Sequence, residues 1–186
     1  MTLADLAVTK QKLAAAQADP VTLAIAGRDT AGVHLNHGEF EDGLAVVDRA
    51  ICQVETHAAG QGRSCALGIP RLRGMTLAGR LKDKATADRH IAESRRLARD
   101  FDHDANRLGN HFGPQNTAVH VVATSGDLGR HQDAIDEMSR FGSRNPLVLP
   151  ATRTSPLHMN VARSKLALGD RTGALEELEK AWALAP

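Results

Sequence analysis

The chain has 186 residues, enough for one domain with a sizeable core or for a short solenoid. Lys and Arg number 23 against 22 Asp and Glu, a formal net charge of +1, so no global field draws it to nucleic acid or an anionic membrane. Aromatic residues make up 3% with no Tyr, while Ala and Leu fill most apolar positions, as suits close helix-on-helix packing.

The amino terminus, Met1-Thr2-Leu3-Ala4-Asp5-Leu6, places an acid where a signal peptide has Lys or Arg, and no apolar run reaches membrane-span length. Export and insertion are not expected. Apolar residues recur at helical spacing throughout without sustained alternation, which predicts an all-α chain. A first helix is expected from about Leu3 to Ala18, stopped by Asp19-Pro20, where Pro favours the first turn of the next helix.

An internal repeat follows, each copy a leading helix, a turn Gly and a second helix. It reads Leu35-Asn36-His37-Gly38 then Gly43, Val47, Ala50; Leu128-Gly129 then Ala134, Met138, Phe141; and Leu168-Gly169-Asp170 then Ala174, Leu178, Ala181. Offsets of five, nine and twelve from the turn Gly put these residues on one helical face. A looser copy at Ala78-Gly79-Arg80 needs Ala87 and Ile91 out of that spacing. The turn glycines lie roughly 40 to 50 residues apart, longer than the ~34 of an ideal tetratricopeptide unit. The expected architecture is one tetratricopeptide-like helical-repeat solenoid over residues 1–186, with about nine helices: an N-terminal helix and four antiparallel pairs near 20–59, 64–101, 112–142 and 152–185.

Between the pairs, His57 to Arg63 and Phe141 to Pro146 read as loops, and Asp102 to Asn106 through Phe112-Gly113-Pro114 reads as a long polar link opening a helix at Pro114. Two cysteines, Cys52 and Cys65, are too few for a disulfide scaffold; Cys52 lies in a helical pattern where a buried thiol is expected, and a reducing cytoplasm fits.

Phe112-Gly113-Pro114-Gln115-Asn116-Thr117-Ala118-Val119-His120, with Asp127-Leu128-Gly129 after it, resembles a stretch of the carboxy-terminal tetratricopeptide-like domains of actinobacterial helix-turn-helix regulators. The likeness continues through Leu157 to Lys165 and from Leu168-Gly169-Asp170 to Pro186, covering the last half well and the first half in outline. It implies a sensor or regulatory domain that binds a ligand or a protein. The family carries a DNA-binding region of ~60 residues ahead of this domain. Here the first repeat is under way by Pro20, so direct operator binding is not expected.

In such a fold the leading helices line an inner groove, and registration on the turn glycines points Arg28, Gly32, Asn36, Arg73, Asn116, Val119, Ala123, Met159 and Arg163 into it, with Arg71 toward the core. The groove set is Arg28, Asn36, Arg73, Phe112, Asn116, Val119, His120 and Arg163, a group suited to a carboxylate, a phosphate or a peptide backbone. Asn116 and His120 share a face near a helix amino terminus, where anions are favoured; fixing the preceding loop is the structural alternative. Gly27, Gly32, Gly68, Gly74 and Gly79 lie in or beside leading helices, permitting close approach or opening a pocket.

His34 and His37 with Glu39 and Glu41, and Asp102, His103, Asp104 with His111, are unspecific metal-capable clusters, and no metal or cofactor is expected. No nucleophile elbow, phosphate-cradling loop, zinc helix or Cys-x-x-Cys occurs. Three functions remain open: a small-molecule or peptide-binding module, an enzyme recruited from this scaffold with His120, His111 or His103 as acid or base, and a structural adaptor, with a homodimer as a further expected partner.

Overall fold

A computed structural model describes residues 6, 9, 10, 13, 19–57, 60–142 and 148–184. The expected first helix falls mostly outside these residues; Leu6, Thr9, Lys10 and Leu13 are helical. Among the described residues the fold is all-helical but for one small hairpin. In chain order come α1 (Pro20–His37), α2 (Phe40–His57), α3 (Gly60–Leu81), α4 (Lys84–Ala98), β1 (Ala105–Arg107), β2 (Asn110–Phe112), α5 (Pro114–Asp127), α6 (His131–Gly142), α7 (Ala151–Ala167) and α8 (Arg171–Leu184). The chain forms two compact units, Met1–Pro114 and Gln115–Pro186. Among the described residues no helix is long and apolar enough to cross a membrane.

Local chemistry sets the boundaries. Asp19 caps α1 by accepting from the Thr22 amide at 2.9 Å ahead of Pro20, and Asp83 caps α4 by accepting from the Thr86 amide at 3.1 Å. Gly38, Gly129 and Gly169 take φ of 78°, 75° and 86°, left-handed turns that an L side chain resists. The second pair departs from expectation. Helix α3 runs through Gly79, which is buried, and the left-handed residue is Lys82 at φ 60°. Counted from Lys82 rather than Gly79, Ala87 and Ile91 fall at offsets five and nine, as in the other copies, and Ser94 at twelve. All three are buried. The irregular spacing came from anchoring on the wrong residue, because a Gly is the sequence signal for this backbone and a Lys is not.

In the N-terminal unit α1, α2 and α3 pack on one another and α4 packs on α3. Bare backbone sets how closely they approach. A methyl group at Gly27 would lie 2.4 Å from the Ala50 Cβ, one at Gly68 2.0 Å from the Phe112 ring, and one at Gly74 2.6 Å from His90 Nε2. Of the glycines flagged in the sequence, these three serve close approach. Phe112 has no exposed surface and meets Phe101 edge-on at 5.7 Å. It is therefore a core residue and lines no groove.

The segment read as a polar link is a hairpin with Ala105 opposite Phe112 and Arg107 opposite Asn110. Its two-residue loop, Leu108-Gly109, has φ of 50° and 78°, both positive as a type I′ turn requires. Asn-Gly is the usual signal there, and Leu in the first place hides the turn.

In the C-terminal unit Val119, Val122, Ala134, Leu149, Leu157 and Val161 form one core, with Met138 against it, and α8 packs on α7. Val119, expected in the groove, is one of these core residues, because Pro114 starts α5 in a register that turns it inward. Cys65 is the buried cysteine and Cys52 the exposed one, the reverse of the expectation for Cys52.

Replacing Gly68 with Ala forces a methyl group into the Phe112 ring. The expected result is a loss of stability of about 1–3 kcal/mol in denaturant unfolding, as for an overpacked core, while Phe112→Leu introduced with it recovers part of the loss.

Candidate functional site

Four of the expected inward residues of the first unit, Arg28, Gly32, Asn36 and Arg73, line one cavity of about 290 Å³ together with Leu6, Lys10 and Asp29. Helix spacing explains the assembly. Asp29, Gly32 and Asn36 recur at three and four residues along α1, so they share a face, and Arg73 reaches that face from α3. With no side chain on Gly32, the Arg73 guanidinium can lie over α1; a methyl group at Gly32 would touch its Nη2 at 3.4 Å.

Asp29 organises one wall. Its carboxylate accepts from Lys10 Nζ at 2.9 Å and from Arg28 Nη1 at 2.7 Å. Among the described residues, Lys10, Arg28 and Arg73 line the cavity together with the Asp29 carboxylate. Arg71, two residues from Arg73, points the other way, as the register implied. Burial lowers the pKa of its guanidinium, with Glu93 and Glu55 opposing that shift.

A second cavity of about 240 Å³ is lined by Lys10, Leu13, Thr22, Ile25, Ala26 and Leu108. It is apolar apart from Lys10 and Thr22, and it shares Lys10 with the first.

None of the other expected site residues is among those lining the two cavities. Asn116 is buried and His120 half-buried on α5, which is buried around most of its circumference. Arg163 holds Asp127 at 2.9 Å, and Met159 is exposed. His103 is exposed in the loop before β1, and His111 on β2 faces the Asn106 side chain at 3.5 Å. Of the two metal-capable clusters read from the sequence, the structure gathers His34 and Glu39 with Asp42, their ligand atoms all within 4.8 Å of one another. Neither His37 nor Glu41 belongs to that set, and Asp102, His103, Asp104 and His111 form none among the described residues.

Two buried polar features escaped the sequence. On α4, neither ring nitrogen of His90 meets a hydrogen-bond partner, nor does Ser94 Oγ one turn on or Arg71 Nε on α3. Burial, then the charges of Arg71 and Arg89, press the His90 pKa to about 4 and keep the ring neutral. In the second unit Glu177 on α8 is buried and accepts from His158 Nδ1 at 2.7 Å, Lys180 at 2.9 Å and Lys165 at 3.2 Å. Burial opposes its ionisation, but the hydrogen bonds from Lys180, His158 and Lys165 prevail and hold its carboxyl at about 2. This network ties α7 to α8. Glu177 looked like part of a solvated charge run because sequence spacing does not show which carboxylate turns inward.

Compared with protein-family models, curated protein sequences and solved structures, the chain matches none.

Both perturbed groups bind fewer protons folded than unfolded, so each makes stability fall with falling pH. His90 acts between its ordinary 6.5 and about 4, and Glu177 between 4.5 and about 2. Unfolding free energy measured across pH 2–8 is expected to decline through both windows; His90→Leu flattens the upper one and Glu177→Gln the lower.

Proposed function

We propose that the chain is a small-molecule-binding module whose ligand occupies the cavity lined by Arg28, Gly32, Asn36 and Arg73. The observation that carries this is the cavity's makeup: Lys10, Arg28, Asn36 and Arg73 gathered over a bare stretch of helix backbone, walled by residues from α1 and α3. Ligand sites in proteins are concave, of ~300–1,000 Å³, with a few polar groups fixing orientation. Arg73 supplies a planar fork of donors matched to carboxylate or phosphate oxygens, and the Asn36 amide can donate beside it. The resemblance of the Phe112 to His120 stretch to the sensor halves of helix-turn-helix regulators points the same way. A tetratricopeptide-like repeat is the reading of the helix order that fits this role.

Protein incubated with a small-molecule extract of cells and desalted is expected to retain a bound mass in native mass spectrometry. Arg73→Ala is expected to reduce occupancy at least about tenfold, the effect of losing a charge-assisted pair, with unchanged helicity. A wild-type protein that retains nothing from any extract would sink the proposal.

A second reading, self-association, is favoured by α8. Trp182 is 84% exposed and shares a face with the exposed Leu175 and Leu178. Arg171, Leu175, Leu178 and Trp182 are spaced four, three and four, the same in both directions. A second copy laid across in the opposite sense sets Arg171 against Trp182 and Leu175 against Leu178, with a cation over an aromatic face at each end. Light scattering is expected to give a dimer mass for the wild type and a monomer for Leu178→Glu; a monomeric wild type at high micromolar concentration overturns this reading.

A further inference from the structure

We propose that His34, Glu39 and Asp42 bind a divalent first-row transition-metal ion at the turn between α1 and α2. The inference is independent of the ligand reading above, and none of the three residues is among those lining either cavity. They offer one imidazole nitrogen and two carboxylate oxygens, and these atoms all lie within 4.8 Å of one another. Zinc bonds to such donors are about 2.0–2.2 Å long, which sets tetrahedral donors roughly 3.4 Å apart. Glu39 and Asp42 are exposed, so small rotations of their side chains close the remaining distance.

The backbone brings the three together. Gly38, at φ 78°, ends α1 in the left-handed conformation. Its amide donates to the Leu35 carbonyl at 3.3 Å, and the Glu39 amide donates to the His34 carbonyl at 2.9 Å. This turn folds Glu39 back beside His34, and its carboxylate lies 2.8 Å from His34 Nδ1. Asp42 follows three residues later, one turn on, and so shares the side that Glu39 begins. The stem of His34 is held from α2 as well. A methyl group at Gly43 would lie 3.3 Å from the His34 Cβ and 2.8 Å from Leu77 Cδ2, so a bare residue there lets the imidazole stand next to Asp42.

Helix ends account for the residue types but not for their convergence. A carboxylate is favoured in the first turn of a helix and an imidazole in the last. Neither preference requires the donor atoms to meet. Charge then separates this cluster from the other acids of the N-terminal unit. Asp29 is answered by Lys10 and Arg28, Glu93 by Arg96, and Asp19 and Asp83 accept from helix amides. No Lys or Arg pairs with Glu39 or Asp42 among the described residues, and the Asp42 carboxylate meets no hydrogen-bond donor there. Two carboxylates this close repel each other, and a dication between them answers both.

The donor set also selects the ion. Calcium and magnesium take oxygen ligands, whereas an imidazole nitrogen beside carboxylates suits zinc and its neighbours. Three protein ligands leave at least one position to water, as in an exchangeable site and unlike a closed structural one. Because His34 ends α1 and Asp42 begins α2, a bound ion ties the two helices together across their turn.

The test is isothermal titration of the metal-free full chain with Zn²⁺. One ion per chain is expected. His34→Gln and Asp42→Asn are each expected to weaken it at least about tenfold, the effect of losing a ligand. His37→Gln and Glu41→Gln, whose side chains lie outside the set, are expected to leave it unchanged. Mg²⁺ is expected to bind at least about tenfold more weakly than Zn²⁺. Zn²⁺ should also raise the melting temperature of the wild type, and the rise should disappear in Asp42→Asn.

A wild type that takes up no Zn²⁺ would overturn the proposal. So would Zn²⁺ bound equally well by the wild type, His34→Gln and Asp42→Asn, since other histidines of the chain would then hold it. Mg²⁺ binding as tightly as Zn²⁺ would remove the imidazole from the site and the transition-metal assignment with it.

Discussion

The N-terminal unit depends on how closely its helices approach where a side chain is missing. Gly27 lets α1 come down on Ala50 of α2, Gly68 receives the Phe112 ring, and Gly74 receives the His90 ring. At each place the gap leaves no room for a methyl group. Helices with ordinary side chains at these positions would stand further apart. Arg73 on α3 would then no longer reach across Gly32 to share a cavity with Arg28 and Asn36 on α1. The same residue type thus makes both the core and the opening beside it: where a partner ring fills the gap the result is packing, and at Gly32, where a guanidinium only skirts it, the result is space.

Buried polarity takes two forms. In the first, His90, Ser94 and the Arg71 Nε are buried without hydrogen-bond partners, and the imidazole stays neutral because burial and nearby positive charge both disfavour its protonation. In the second, Glu177 is buried as an anion and is answered by one imidazole and two ammonium groups. Surrounded donors make such a group tolerable, and removing one partner costs more than the pair contributes, since the remaining charge is stranded. Cations that line the cavity are a third case. Asp29 ties down Lys10 and Arg28 and fixes their positions in the wall.

Part of the cavity's lining was legible from spacing. Arg28, Gly32, Asn36 and Arg73 were placed together by counting from turn glycines, because helix periodicity fixes a face once its end is known. The count worked for Arg73 even though its pair was anchored on Gly79 instead of Lys82, since a shift of three residues is close to one helical turn. Phe112 and Val119 were misplaced for a different reason: an apolar residue on an inward face can line a groove or fill a core, and periodicity is the same for both. The hairpin was hidden because Leu108 stands where Asn is expected, and a three-residue strand is too short to show alternation.

By itself the sequence determined most of the helices, through apolar periodicity, and three of their ends, through the left-handed glycines at 38, 129 and 169. It also determined which residues share a face of any one helix. These are local matters, decided within a turn or two of chain. Only the tertiary structure decided which faces meet: that Gly68 takes the Phe112 ring, that Glu177 rather than Glu176 turns inward, and that Lys10 lines two cavities. Those outcomes depend on contacts between residues far apart in the chain, where packing and desolvation choose among arrangements that local spacing leaves equal.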